Sequence, residues 1–261
     1  MPENTNLIQS VDRAAAILDV IAKADETGLS LKEIASGVQI NASTAHHLVA
    51  TLIQRKLIEQ DLDSKRYHLG LHLIELGNAA MRTTSLARVA QEYLDRVWQE
   101  TGQTVTILVF HGLLRTPLIG ERGRQLLSAR SAPLEVGTLH ATGSGKLLLA
   151  HLPDPELESY LNYARLERFT PATITDPDAL KAELAKIRTA GYTLDSGEYG
   201  SGVFCMAAPF QDASRRVIGC IDLIFPAYEQ NQTTIDPMIS LLIQTAQQFS
   251  GRLLDIGYQT A

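Results

Sequence analysis

Cysteine is nearly missing from this chain of 261 residues: only Cys205 and Cys220 occur, both inside apolar, strand-like runs. That argues for buried, reduced thiols over a disulfide or metal framework. Long hydrophobic runs are missing as well. No stretch approaches the ~20 residues that a membrane span needs, and Met1 to Asn6 has neither the basic start nor the apolar core of a secretion signal. A cytoplasmic protein with no membrane partner is expected. Positive charge is in deficit, with 23 Lys and Arg against 29 Asp and Glu and a net charge of −6, which excludes a protein that clings to nucleic acid by bulk electrostatics. Internal repeats and low-complexity tracts are absent too, so the length points to two ordinary globular domains.

What is there begins with Asn41 to Arg55. Ala45, Leu48, Val49 and Leu52 recur at the spacing of one buried helical face, and Ser43, Thr44, His46, His47, Thr51 and Gln54 fall elsewhere on the cylinder. That outer face is polar but almost uncharged. Hydroxyls, imidazoles and amides of this kind can sit close to phosphates and base edges, whereas an ordinary solvated helix carries Lys and Glu. Asn41 or Ser43 can cap the N-terminus.

The flanks sharpen the reading. Ser30-Leu-Lys-Glu33 has the spacing of a capping box and opens a short helix ending near Gly37. A four-residue connection, Val38 to Asn41, leads into the next helix, and two short helices so joined are a helix-turn-helix. Leu57 to Gln60 and Arg66 to Leu69, separated by a polar turn, read as a hairpin wing. With a first helix over about Ser10 to Ala24, residues 1–69 form a winged helix-turn-helix. Four of the seven bases in the first 68 residues, Arg55, Lys56, Lys65 and Arg66, lie at the helix end and on the wing, against nine acids overall. A double-stranded DNA operator would then be held locally and through two copies: phosphates by Ser43, Arg55, Lys65 and Arg66, base edges by Thr44, His46 and His47.

Residues 70–84 read as an apolar linker helix, whose simplest partner is the same helix of a second subunit. Residues 85–261 read as a mixed domain. An amphipathic helix at about Leu86 to Thr101 precedes paired strands, three helices, another hairpin and a closing helix at about Ile235 to Ile256. Hairpins with helices on one face make the expected fold class α+β. Thr138 to Lys146 invites a phosphate-loop reading, which fails because His140 stands where a Gly is needed and Leu147 where Ser or Thr is needed. What survives is a helix capped by Thr142 whose first small residues, Gly143, Ser144 and Gly145, can approach an anion. The domain shows no coherent set of base, nucleophile and oxyanion donors and no cofactor motif. The rival readings are a metabolic enzyme fused to a winged helix and an oligomerisation domain without a ligand.

In order and spacing, the winged helix, the linker, Leu139 to Lys146, Gly191-Tyr-Thr-Leu-Asp195 and Gly202 to Pro209 resemble the IclR family of bacterial transcription regulators over essentially the whole chain. The resemblance implies a GAF-like sensor domain that binds a small organic effector, in a homodimer or a dimer of dimers. It implies that an effector carboxylate meets the amides of Gly143 and Ser144, with Asp195 and Cys205 completing the site. Two hydroxyl-bearing positions of the family correspond here to Asp222 and Ile224, and His47 stands where many relatives carry Arg. A carboxylate at Asp222 would repel a ligand anionic at both ends. The expected effector therefore has an acid or polar carbonyl at one end, a donor at the other, and a body large or apolar enough for Ile224.

Overall fold

A computed structural model of the chain describes residues 7–24, 27–83, 85–123, 136–227 and 232–259. It divides into two compact units, Met1–Arg82 and Thr83–Ala261. In the first, α1 (Gln9–Ala22), α2 (Leu31–Gly37) and α3 (Ala42–Gln54) precede the hairpin β1 (Ile58–Gln60) and β2 (Tyr67–Leu69), and α4 (His72–Thr83) follows. Ile17, Ile21, Ile34, Val49, Leu52, Ile58 and Tyr67 form the core, so the apolar stripes of all three helices and the wing meet at one point.

Local chemistry sets the ends of these helices. The Ser30 hydroxyl accepts from the Glu33 amide while the Glu33 carboxylate accepts from the Ser30 amide, a complete capping box. At α3 the cap is Asn41, whose side chain accepts from the Thr44 amide at 2.8 Å, leaving Ser43 exposed on the first turn. The wing turn is shaped by Asp61, which accepts from the amides of Asp63 and Ser64 and from the Ser64 hydroxyl.

Arg66 is placed differently from the expectation of a phosphate contact. Its guanidinium donates to the Gly28 carbonyl at 3.1 and 2.9 Å and to Glu33 at 2.9 Å, tying the wing to the start of α2. In the linker segment Leu71, Ile74 and Leu76 are 68%, 60% and 47% exposed, whereas Leu73 is partly buried.

In the second unit α5 (Ser85–Thr101) leads into β3 (Thr104–His111) and β4 (Leu114–Arg122). A 3₁₀ turn (Val136–Ala141), α6 (Gly143–Ala150), α7 (Asp154–Tyr163) and α8 (Pro177–Ala190) come next. The unit ends with β5 (Thr193–Asp195), β6 (Val203–Gln211), β7 (Val217–Pro226) and α9 (Gln232–Asp255). The five strands form one antiparallel sheet in the order β4-β3-β7-β6-β5. The α+β class is as expected, but helices cover both faces, not one.

The reason lies in the strands, which carry apolar residues on both sides of the pleat. Val105, Ile107, Met206, Ala208, Ile221 and Leu223 pack with α5 and α9. Their neighbours Leu108, Ala207 and Cys220 pack with α6, α7 and α8. Among the described residues no helix is long and apolar enough to cross a membrane.

Replacing Arg66 tests its place in the first unit. Arg66→Ala is expected to cost the winged helix about 1 kcal/mol, the Glu33 pair itself contributing little because both groups are partly exposed. Hydrogen exchange at the amides of Ser30 to Ile34 should quicken; an unchanged profile would return Arg66 to the list of phosphate contacts.

Candidate functional site

Helix α3 presents the face that its pattern requires. Ala45, Val49 and Leu52 are buried, Thr44 is half-buried, and Ser43, His46, His47, Thr51 and Gln54 are exposed. The imidazoles of His46 and His47 stand edge to face with centroids 5.9 Å apart. Arg55, at the helix end, and Lys65, in the wing turn, are exposed cations on the same unit. Of the residues assigned to DNA from the sequence, Arg66 alone is bound within the protein fold.

The second cluster lies on the face of the large sheet that α6 covers. Strand register sets it out in rows. Thr104, Ile224, Cys205 and Asp195 are cross-strand partners in sequence across β3, β7, β6 and β5. The adjacent row is Thr106, Asp222, Ala207 and Thr193. Asp195, Cys205 and Ile224, read from separate stretches of sequence, thus share one row, and Asp222 stands one row away on the same face.

Helix α6 meets these rows at its first turn. A Cβ on Gly143 would fall 2.9 Å from the Cys205 sulfur and 3.2 Å from the Thr193 hydroxyl, so only glycine lets the helix come this close. Gly145 is needed for a different contact, since its Cβ would lie 2.4 Å from the Leu139 carbonyl. Thr142 occupies the N-cap position but its hydroxyl does not cap. Instead it donates to the Thr138 carbonyl and accepts from Arg115. Lys146, the residue that suggested a phosphate loop, is fully buried and paired with Glu198, so its charge is spent inside the protein.

Asp195 and Asp222 differ in their surroundings. One oxygen of Asp195 accepts from the amides of Gly197 and Glu198 at 3.0 and 2.8 Å, ordering the loop after β5. Burial pushes its pKa up to about 6 despite those bonds and the nearby Lys146. The Cys205 thiol donates to Asp222 at 2.7 Å, so part of the acceptor capacity expected to serve a ligand is used by the protein. Burial, reinforced by Asp222, raises the Cys205 pKa well above its ordinary value.

Arg115 is the residue that the sequence analysis missed. It is the second residue of β4, opposite Phe110, and is 4% exposed. One of its nitrogens donates to Thr142 and Ser144 at 2.8 and 3.0 Å and another to Thr138 at 2.9 Å. Burial pulls its pKa down and the Asp222 carboxylate pushes it back up. Nothing in Leu113-Leu-Arg-Thr-Pro117 marks an inward-facing charge. Thr193, also missed, was findable: it lies two residues before Asp195 on a strand and so shares its face.

The Asp195 carboxylate gives the domain a pH dependence of known sign. Its folded pKa lies above the model-peptide value of 3.8, so the proton favours the native state. That stabilisation is complete below about pH 4 and is lost as pH rises through about 6. Asp195→Asn keeps an oxygen for the two amides and removes the buried charge. The variant should be more stable than the parent at pH 7.5 and should lose roughly 1 kcal/mol of the parent's change between pH 5 and 7.5; parallel denaturation curves for both proteins across that range would show the carboxylate to be unstrained.

The description "IclR helix-turn-helix domain" matches residues 10–62, and "Bacterial transcriptional regulator IclR C-terminal" matches residues 78–251. The chain is 34% identical to the HTH-type transcriptional regulator BhcR of Paracoccus denitrificans (strain Pd 1222) over 248 residues, 95% of this chain and 88% of that one. The crystal structure of Thermotoga maritima IclR aligns with a TM-score of 0.61 at 29% identity, over 95% of this chain and 100% of that one. An IclR homologue from Microbacterium hydrocarbonoxydans, complexed with 4-hydroxybenzoate, aligns with a TM-score of 0.66 at 26% identity, over 94% and 98%. The chain therefore belongs to the IclR family of bacterial transcriptional regulators.

Proposed function

We propose that this regulator reads a bipartite operator as a homodimer or a dimer of dimers, and that a small organic effector held beneath α6 sets its activity. Thr44, His46 and His47 take base edges, and Ser43, Arg55 and Lys65 take phosphates. Gly143, Ser144, Asp195, Cys205, Asp222 and Ile224 line the effector site. The observation that carries this reading is the convergence of Asp195, Cys205, Asp222 and Ile224, from three strands, on the one face that the first turn of α6 covers. The 4-hydroxybenzoate seen with the Microbacterium homologue supports a small organic effector.

An enzyme built on the same residues is the weaker reading. A nucleophilic thiol needs a lowered pKa, and the surroundings of Cys205 move it the other way.

Because so few cations serve the DNA face, sequence discrimination rests on α3. His47→Ala should lower affinity for the cognate operator by ~1–3 kcal/mol, with little change on scrambled DNA, in binding titrations at fixed salt. Equal losses on both DNAs would make His47 a phosphate contact.

The exposed apolar residues of the linker supply the test of assembly. Ile74→Glu should weaken self-association in sedimentation and operator affinity along with it, while leaving the melting of residues 83–261 unaltered. A dimer constant unmoved by the charge would mean that this face packs elsewhere.

A further inference from the structure

From Ala42 to Gln54 helix α3 has no Asp, Glu, Lys or Arg, so its ionisable side chains are His46 and His47 alone, with Arg55 following at the helix end. Both imidazoles are exposed. The charged groups on the elements packed against α3 are Asp12, Arg13 and Asp19 of α1, Lys32 and Glu33 of α2, and Glu59 of β1. Among the described residues none of these forms a hydrogen bond or ion pair with either imidazole, and the two rings meet each other edge to face at 5.9 Å. The other imidazoles of this unit are placed differently: His72 is paired with the Glu75 carboxylate, and His68 lies on β2 against Gly28.

Imidazole is the side chain whose charge changes around neutral pH. Neutral, it carries one N–H and one lone pair; protonated, it carries two N–H donors and a positive charge. DNA presents acceptors at its phosphates and at guanine N7 and O6, in a strongly negative potential, so it binds the protonated form better. Fixed charge in this unit is scarce, since the Arg66 guanidinium is held by the Gly28 carbonyl and Glu33. In the free protein two adjacent imidazolium groups repel one another. Acceptors on DNA offset that repulsion, and protonation and binding then favour each other.

We propose that His46 and His47 bind DNA in their protonated form, so that operator binding takes up protons: the regulator holds its site more tightly in acid and releases it as pH rises through neutrality. The proton is held against an acceptor of DNA, at a guanine edge or at a phosphate. This rests on the reading of α3 as the helix that meets DNA and adds the charge state in which it does so.

The probe is a duplex that the full-length protein selects from a random-sequence pool, with a scrambled duplex of the same composition beside it. In anisotropy titrations at constant ionic strength, affinity for the selected duplex should fall at least about tenfold from pH 6 to pH 8. Calorimetry at pH 7 in two buffers of different ionisation enthalpy should register proton uptake on binding. The double variant His46→Gln, His47→Gln, whose amides still donate and accept, should bind with little pH dependence and take up no proton, whereas His68→Gln and His72→Gln should follow the parent. Uptake on both duplexes places the acceptor at phosphates, and uptake on the selected duplex alone places it at base edges. A parent affinity level across this range, a slope that the double variant keeps, or one that disappears instead in His68→Gln or His72→Gln would overturn the proton coupling; weaker binding by the double variant would still leave α3 on DNA. A double variant that binds both duplexes as the parent does at every pH would remove α3 from the DNA face and the proton coupling with it.

Discussion

The closeness of α6 to the sheet governs the second unit. Its first turn lies against β5 and β6 at a separation that a single methyl group would breach, at Gly143 on the strand side and at Gly145 on the side of the 3₁₀ turn. Glycine is otherwise a poor choice in a helix, costing roughly 1 kcal/mol against alanine. Two of them in eight residues are tolerated because the helix is held by packing: Leu147, Leu148 and Leu149 are all buried. The same approach brings a helix terminus, a thiol and two aspartates into one small volume.

Such a volume would be unstable if its charges were unmatched. Lys146 is fully buried yet answered by Glu198, and the loop carrying Glu198 is fixed by Thr170 and Thr173, whose hydroxyls donate to its backbone carbonyls. Breaking one partner of such a pair leaves the other charged and dry, commonly a loss of 3–5 kcal/mol, though the pair itself adds little net stability. Buried ion pairs of this sort position groups more than they stabilise the fold.

Much of the architecture was legible because it follows from local rules. The capping box at Ser30, the stripe through Ala45, Val49 and Leu52, and the apolar runs of β6 and β7 each depend on residues a few positions apart. What could not be read depends on pairing between distant segments. Strand order decides which side of the sheet is covered, and the runs on β3, β6 and β7 are compatible with one covered face or two until that order is known. Arg66 illustrates the limit from another side: a basic wing residue looks like a phosphate ligand until the Gly28 carbonyl and Glu33 are found within its reach. Arg115 could not have been placed, because its three hydroxyl partners lie 23 to 29 residues away across the 3₁₀ turn and the start of α6.

The two faces of the large sheet also bear on how a bound molecule makes itself felt. Helix α5, through which the chain arrives from the linker, packs on one side, and the polar rows lie on the other. Yet the strands are shared, and Cys205 and Asp222 are bonded in sequence to Met206 and Leu223, which belong to the α5 side. A ligand that shifted a side chain on one surface would tilt the peptide whose next residue lies in the core that α5 and α9 share. The distance to be covered would be the thickness of one pleated layer, and the sheet would work as a membrane in the mechanical sense, pressed on one side and read on the other.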